Sequence, residues 1–149
     1  MTPTFRATPQ SVSGALIPDW RAVSRAIPPE YQCDGSSDPV LLYLLGLVAF
    51  FPWAKRAHTA INYGGRLHDF GYGPARLPGS GFDHFGKNAW DAMYRQFLLD
   101  ADHPVWATIH WRGVESVGGC AWRANWAKMQ ARGWYTYASF MADPRKSLV

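Results

Sequence analysis

The feature that most restricts the fold of this chain is a set of large apolar residues spaced as on one face of an α-helix. They recur at intervals of three and four positions: Trp90, Met93, Tyr94, Phe97 and Leu98. In a helix this spacing gathers them into one stripe, and such a stripe is stable only when another element covers it. The sequence therefore predicts an amphipathic helix here with one buried face.

Length and composition favour one compact, mainly helical domain. The chain has 149 residues, of which 48% are hydrophobic, and it contains eight Trp, seven Tyr and eight Phe. A chain of this size buries roughly 68–70% of its unfolded surface, which is enough for a single core. No internal repeat or linker is visible, so a division into several domains is not expected.

Proline spacing divides the chain into an arm, a core and a tail. Six prolines fall within residues 1–39, too close together for long helices. We predict an irregular N-terminal arm over residues 1–39, a helical core over 40–143 and a frayed tail over 144–149. The first nine residues lack the apolar centre of a secretory signal, so export by the usual route is not expected.

An uncharged run over residues 40–51 is too short to cross a membrane. Twelve helical residues rise about 18 Å, whereas the hydrocarbon layer is roughly 30 Å thick. We predict a buried central helix, with insertion into a membrane interface as the functional alternative. Pro52 interrupts this run, and residues 53–61 start a new helical stretch.

Two adjacent glycines, Gly118 and Gly119, separate the last long helical segments. Residues 104–117 and 121–132 each have a helical pattern, so we predict two helices with a break between them. The tryptophans of these segments are expected to supply core volume.

Charge and cysteine content restrict the function only weakly. The formal net charge is +4, but the fifteen Lys and Arg residues are scattered and accompany no nucleic-acid recognition motif. A solvated basic face is therefore favoured over a nucleic-acid patch. Cys33 and Cys120 are too few for a disulfide framework, and both a bridge between them and two separate thiols remain open.

The reactive side chains concentrate near the end of the predicted stretch that follows Pro52. His68, Asp69 and Tyr72 place an imidazole, a carboxylate and a phenol within five positions. In a helix His68 and Tyr72 lie one turn apart on one face, while Asp69 points about 100° away. One helix then serves two neighbouring sites, with His68 activating a water and Asp69 holding a cation.

Two further carboxylates accompany this group. Asp91 borders the apolar stripe and either turns inward or pairs with Lys87 one helical turn earlier. Asp34 opens a turn over residues 34–39, which either caps the following helix or projects the Asp34 carboxylate from a rigid loop.

The H-D-x-x-Y pattern of His68, Asp69 and Tyr72 resembles the signature of the secreted phospholipase A₂ superfamily, especially its small bacterial and fungal branch. In that branch an aspartate on the following antiparallel helix completes a His/Asp dyad. Asp91 lies 23 residues after His68, enough for the end of one helix, a loop and the start of the next. The resemblance implies a mainly α fold with a phospholipase-A₂-like antiparallel helix pair.

The same resemblance implies ester hydrolysis at a phospholipid or membrane surface. His68 would act as general base on a water, Asp91 would fix its tautomer, and Tyr72 would orient Asp91. Calcium would be held by Asp69 and Asp34 and would polarise the ester carbonyl. This chemistry needs a cleft around His68 that is open to water.

The sequence also departs from the phospholipase pattern. No glycine-rich calcium loop directly precedes the motif, and Gly64 and Gly65 stand where a cysteine is expected. A different class of enzyme, the metal-dependent phosphohydrolases, also uses adjacent His and Asp, and would recruit His58 as a further ligand.

The order of three motifs is similar to a family of unknown function found in bacteriophages and bacterial genomes. These motifs are the D-G-x-S-x-P turn that begins at Asp34, the H-D-x-x-Y element and the helix that carries Asp91, and the match spans about residues 28–99. This resemblance implies an alternative without catalysis, a phage virion or assembly component whose partners are phage structural subunits. Localisation would then be the virion or the host cytoplasm, and the sequence does not decide between them.

Overall fold

The computed structural model describes residues 16–33 and 50–146, and within them it is mainly helical without a β-strand. The predicted fold class is thereby confirmed. The helices are α1 (Trp20–Ala26), α2 (Pro52–Tyr72), α3 (Lys87–Asp100), α4 (Pro104–Ala131) and α5 (Tyr137–Ala142), with a 3₁₀ turn at Pro74–Arg76. The predicted turn at Asp34 and the apolar helix up to residue 49 lie outside the described residues.

Helix α2 carries the H-D-x-x-Y motif in its last turn and a half. It begins at Pro52, whose fixed φ suits the first turn and whose missing N–H would have no helical partner there. It then continues for 21 residues to Tyr72, well beyond the predicted stretch of 53–61. His68, Asp69 and Tyr72 therefore share one regular helix, as their spacing requires.

Helix α3 is the predicted amphipathic helix. All five residues of its apolar stripe are buried, and the helix packs between α2 and α4. Asp91 of α3 meets His68 of α2, whereas Tyr94, one turn later, donates a hydrogen bond to the carbonyl oxygen of Ile61 at 3.3 Å. Advancing along α3 thus means moving back along α2, so the two helices are antiparallel.

Two glycines of α2 allow this close approach. A Cβ on Gly64 would lie 2.6 Å from a ring carbon of Tyr94 and 2.7 Å from one of Phe97, and a Cβ on Gly71 would overlap the indole of Trp90. These distances are shorter than any van der Waals contact between carbon atoms. The aromatic stripe of α3 consequently rests directly on the backbone of α2.

The N-terminal arm differs from the prediction where it is described. The segment between Pro18 and Pro28 is long enough for helix α1, and the Asp19 side chain caps it by accepting a hydrogen bond from the Arg21 N–H. Val23 of α1 is fully buried in the core. Proline spacing limited the length of a helix here but did not prevent one.

The predicted frayed tail also packs against the domain as far as residue 146. The backbone N–H of Gln32 donates to the carbonyl oxygen of Lys146 at 3.1 Å, and the Lys146 ammonium lies 3.1 Å from Glu30 Oε1. The segment that contains Glu30 and Gln32 is therefore joined to the last described residue, Lys146.

Helix α4 runs unbroken through Gly118 and Gly119, so the predicted break is wrong. A glycine inside a helix costs only about 1 kcal/mol relative to alanine, which packing readily offsets. Here a Cβ on Gly118 would overlap the hydroxyl of Tyr72, so the glycine serves the contact between α4 and α2. Packing, rather than a turn, accounts for this glycine.

Two smaller questions are also answered. Cys33 and Cys120 are not joined by a disulfide. Within the two described ranges, no helix combines the length and the apolar character needed to cross a membrane.

Candidate functional site

The predicted dyad forms across helices α2 and α3. His68 Nε2 lies 2.9 Å from Asp91 Oδ1, and the Tyr72 hydroxyl donates to the same oxygen at 2.6 Å. His68 and Tyr72 reach one carboxylate oxygen because they stand one turn apart on the same face of α2. The three residues that the motif singled out for catalysis are thus in mutual contact.

Lys87 completes the surroundings of Asp91. Its ammonium donates to Asp91 Oδ2 at 2.6 Å and to the carbonyl oxygen of Val114 at 3.3 Å. The sequence left open whether Asp91 turns inward or pairs with Lys87, and the structure shows both. One carboxylate therefore accepts hydrogen bonds from an imidazole, a phenol and an ammonium.

These contacts set the protonation states of the site. Burial alone would raise the pKa of Asp91, but the hydrogen bonds from His68, Lys87 and Tyr72 together lower it, so the carboxylate is ionised at neutral pH. Burial lowers the pKa of His68 and outweighs the opposing effect of Asp91, so the imidazole is neutral. Burial and the bond to Asp91 raise the pKa of Tyr72, which stays protonated.

The tautomer of His68 follows from this pairing. An ionised carboxylate only accepts hydrogen bonds, so Nε2 must carry the ring proton and Nδ1 the lone pair. Nδ1 is buried, has no hydrogen-bond partner among the described residues, and lies 4.0 Å from Asp69 Oδ1. The basic nitrogen of the imidazole and the Asp69 carboxylate are therefore neighbours.

The site is more enclosed than the sequence analysis expects. His68 is 1% exposed, and Asp91 and Tyr72 are each 2% exposed. The rings of Tyr72 and Tyr94 lie against the imidazole, with centroid distances of 4.1 Å and 5.3 Å. Because Nδ1 is buried, reaction at this atom would require a movement that admits water.

Sequence reasoning missed the contribution of α4. Gly118 leaves the room that the Tyr72 hydroxyl and the Lys87 side chain occupy, and Val114 accepts the second hydrogen bond of Lys87. The signal was present in the Gly118-Gly119 pair, but it was interpreted as a helix break. Glycine on a buried helical face is an equally direct sign of a close neighbour.

The described residues do not complete a calcium site. A calcium shell needs six to eight oxygen ligands, and the two described ranges contain no group of three or more His, Cys, Asp or Glu side chains suited to a metal. Asp69 contributes one carboxylate beside His68, and Asp34 lies outside the described residues.

The phosphohydrolase arrangement is not supported by the helix geometry. His58 and His68 lie on the same helix ten residues apart, which corresponds to about 15 Å along its axis. Two ligands of one metal ion lie within about 5 Å of each other. His58 and His68 therefore do not share an ion in this fold.

Comparison with known proteins identifies no relative, since no family model, curated protein or solved structure matches the chain. The geometry of the site is therefore the basis for a function.

Proposed function

We propose that this chain is a phospholipase-A₂-like ester hydrolase in which His68 and Asp91 activate a water. The observation that supports it most is the shared Asp91 oxygen, which binds both His68 Nε2 and the Tyr72 hydroxyl. This arrangement fixes the imidazole orientation and leaves Nδ1 as its basic atom. A general base needs both properties.

The proposed reaction is a transfer of one proton through His68. Nδ1 takes a proton from water while the water oxygen forms a bond to the ester carbonyl carbon. The resulting imidazolium is stabilised by the Asp91 carboxylate, which Tyr72 and Lys87 hold in place. The same proton then passes to the leaving alkoxide oxygen as the ester C–O bond breaks, which regenerates neutral His68.

Activity should depend on pH through His68. Because burial lowers the pKa of this imidazole below its ordinary value of about 6.5, the base is neutral above that range and is protonated only in more acidic solution. Hydrolysis of a fluorogenic phospholipid should therefore be constant between about pH 7 and 8 and decline at a pH below 6.5. A decline that already begins above pH 6.5 would contradict the assignment of His68 as the base.

Calcium remains part of the proposal through Asp69. The carboxylate of Asp69 lies beside Nδ1, where a bound cation would polarise an ester carbonyl close to the base. Running the same assay in EDTA and in calcium distinguishes a mechanism that uses a cation at Asp69 from one that does not. Loss of hydrolysis in EDTA and its recovery with calcium support the cation, whereas equal rates remove it from the mechanism.

An exposed aromatic group at the start of α2 supports contact with a lipid surface. Phe50, Phe51 and Trp53 are 76%, 45% and 53% exposed, and their rings follow one another at centroid distances of 4.2 and 6.3 Å. Lys55 and Arg56 are exposed in the next turn of the helix. Aromatic rings beside cations suit the interface of an anionic membrane.

Replacing Trp53 with alanine should weaken binding to anionic vesicles while leaving the fold intact, because the side chain is half-exposed. Cosedimentation with phosphatidylglycerol vesicles measures the effect. Tyr135→Ala is the matched control, since Tyr135 is also exposed. It lies two residues before Tyr137, whose N–H donates to the Pro78 carbonyl beyond the C-terminal end of α2, whereas Trp53 lies at the start of that helix. Equal binding by the two variants would argue against this surface.

Burial of the dyad supports a structural role for it, which is the role expected in the second candidate, a phage virion or assembly component. In that case the contacts of Asp91 with His68, Tyr72 and Lys87 form a structural hydrogen-bond cluster that joins α2 to α3. An enclosed and fully paired carboxylate contributes to a unique packing without any chemistry. This candidate predicts that the wild-type protein hydrolyses no phospholipid under any of the conditions above.

A further inference from the structure

A second candidate site is a cleft of about 380 Å³. It lies where the 3₁₀ turn, the start of α3 and helix α4 meet. Its walls are formed by Arg76, Asp83, His84, Phe85, Gly86, Trp122 and Trp126, whereas His68 and Asp91 do not line it. Asp83 is the carboxylate among these described residues, and it forms no ion pair with Arg76. Clefts of roughly 300–1,000 Å³ lined by aromatic residues and a few polar groups are typical small-molecule sites. The cleft is therefore distinct from the dyad and of suitable size for a ligand.

Arg76 is held rigidly within this cleft. Its guanidinium lies 3.6 Å from the ring centroid of Trp122 and 5.0 Å from that of Trp126. Nη1 donates to the carbonyl oxygens of Trp122 at 2.5 Å and of Tyr72 at 3.4 Å. The stacking and both hydrogen bonds fix the plane of the guanidinium before any ligand arrives.

The positive charge of Arg76 is not neutralised by the described part of the chain. Its partners are carbonyl oxygens and indole faces, and no described carboxylate forms an ion pair with it. Burial lowers the pKa of Arg76 to about 10, which still leaves the group cationic at neutral pH. Nε and Nη2, the edge that binds two oxygens of one anion, make no hydrogen bond with a described residue.

We propose that this cleft binds a phosphate ester, with the Nε and Nη2 edge of Arg76 on the phosphate and the rings of Trp126 and Phe85 covering the esterified group. A half-buried cation without a counterion favours an anion, and the planar guanidinium matches the spacing of phosphate oxygens. Gly86, the residue before α3, also borders the cleft, so the positive end of that helix lies on the same side. The proposal does not depend on hydrolysis at His68.

Titration of the full-length protein with glycerol 3-phosphate tests the proposal directly. In NMR spectra of the wild type, the Nε–H signal of Arg76 and the indole N–H signals of Trp122 and Trp126 should shift and saturate together. Arg76→Gln should weaken binding by at least about tenfold, because it removes the charged fork. Arg21→Gln is the matched control, since Arg21 also stacks on a tryptophan, Trp20, but lies close to two carboxylates, Asp19 and Asp100, and should not change the affinity.

A second titration, with phosphatidylglycerol vesicles, distinguishes a soluble phosphate ester from a lipid headgroup as the ligand. Binding of free glycerol 3-phosphate that depends on Arg76 identifies a soluble phosphate ester as sufficient. Binding to vesicles alone, again lost in Arg76→Gln, identifies a lipid headgroup. If Arg76→Gln does not fold, Trp126→Ala replaces it, because Trp126 is 39% exposed and its loss should still weaken binding. Glycerol 3-phosphate binding that is equal with and without Arg76 overturns the proposal. So does the absence of shifts with glycerol 3-phosphate together with vesicle binding that does not depend on Arg76.

Discussion

Replacing His68 with glutamine is expected to reduce the hydrolysis of a fluorogenic phospholipid by about 10²–10⁴-fold, the usual contribution of a general base. The glutamine amide keeps a nitrogen donor within reach of Asp91 Oδ1, so the hydrogen bond that joins α2 to α3 can persist. It lacks a basic nitrogen, so the proton of the attacking water has no acceptor. Initial rates on phospholipid vesicles at pH 7.5 measure this effect.

The matched control is His110→Gln. His110 is also a buried histidine next to Tyr94, whose hydroxyl lies 3.4 Å from its Nδ1, but it is not hydrogen-bonded to Asp91. The control should retain most of the wild-type rate, provided that thermal unfolding shows both variants to be folded. Activity that survives His68→Gln, or an equal loss in His110→Gln, would exclude His68 as the base.

Local spacing was sufficient to predict one half of the site, since the four-residue interval between His68 and Tyr72 determines that they share a helical face. The pairing of His68 with Asp91 was expected only from the family resemblance, because the apolar stripe of α3 left open whether Asp91 turns inward or pairs with Lys87. The enclosure of His68 was not predictable in the same way. It depends on Tyr94 of the neighbouring helix, and no local pattern near residue 68 reports how closely two helices approach.

Prolines and glycines were interpreted too locally. The arm was expected to be irregular because it contains six prolines, yet α1 fits between Pro18 and Pro28 and Val23 enters the core. A break was expected at Gly118, yet α4 is continuous because Gly118 faces the Tyr72 hydroxyl. At Gly118 tertiary packing outweighs a propensity of about 1 kcal/mol, whereas α1 contains no proline and needs no such compensation.

The cleft at Arg76 had no local signature. Arg76 and Trp122 are 46 positions apart, and Trp122 was expected to supply core volume rather than to border a site. The contact arises because the 3₁₀ turn after α2 places the guanidinium against the face of α4. A site made of one cation and two indoles from distant segments becomes visible only when the fold is known.

The packing of α3 on α2 makes Gly71→Ala the largest stability change that we expect. A Cβ at this position would overlap the indole of Trp90, which is fully buried. Overpacking of this kind costs about 1–3 kcal/mol and sometimes more, which exceeds the gain of about 1 kcal/mol from the helix propensity of alanine. We expect a net loss of about 2 kcal/mol in the free energy of unfolding, measured by urea denaturation.

Gly113→Ala provides the matched control because Gly113 also lies inside a long helix, α4, but has nothing within 4 Å of the position of a Cβ. The same chemical change should therefore stabilise the protein by about 0.5–1 kcal/mol through reduced backbone entropy of the unfolded chain. A loss of stability in Gly71→Ala and a gain in Gly113→Ala would separate the effect of packing from that of helix propensity. If Gly71→Ala were as stable as Gly113→Ala, the indole of Trp90 would not rest on α2. The contact of Asp91 with His68, which lies one helical turn before Gly71, would then lose its support.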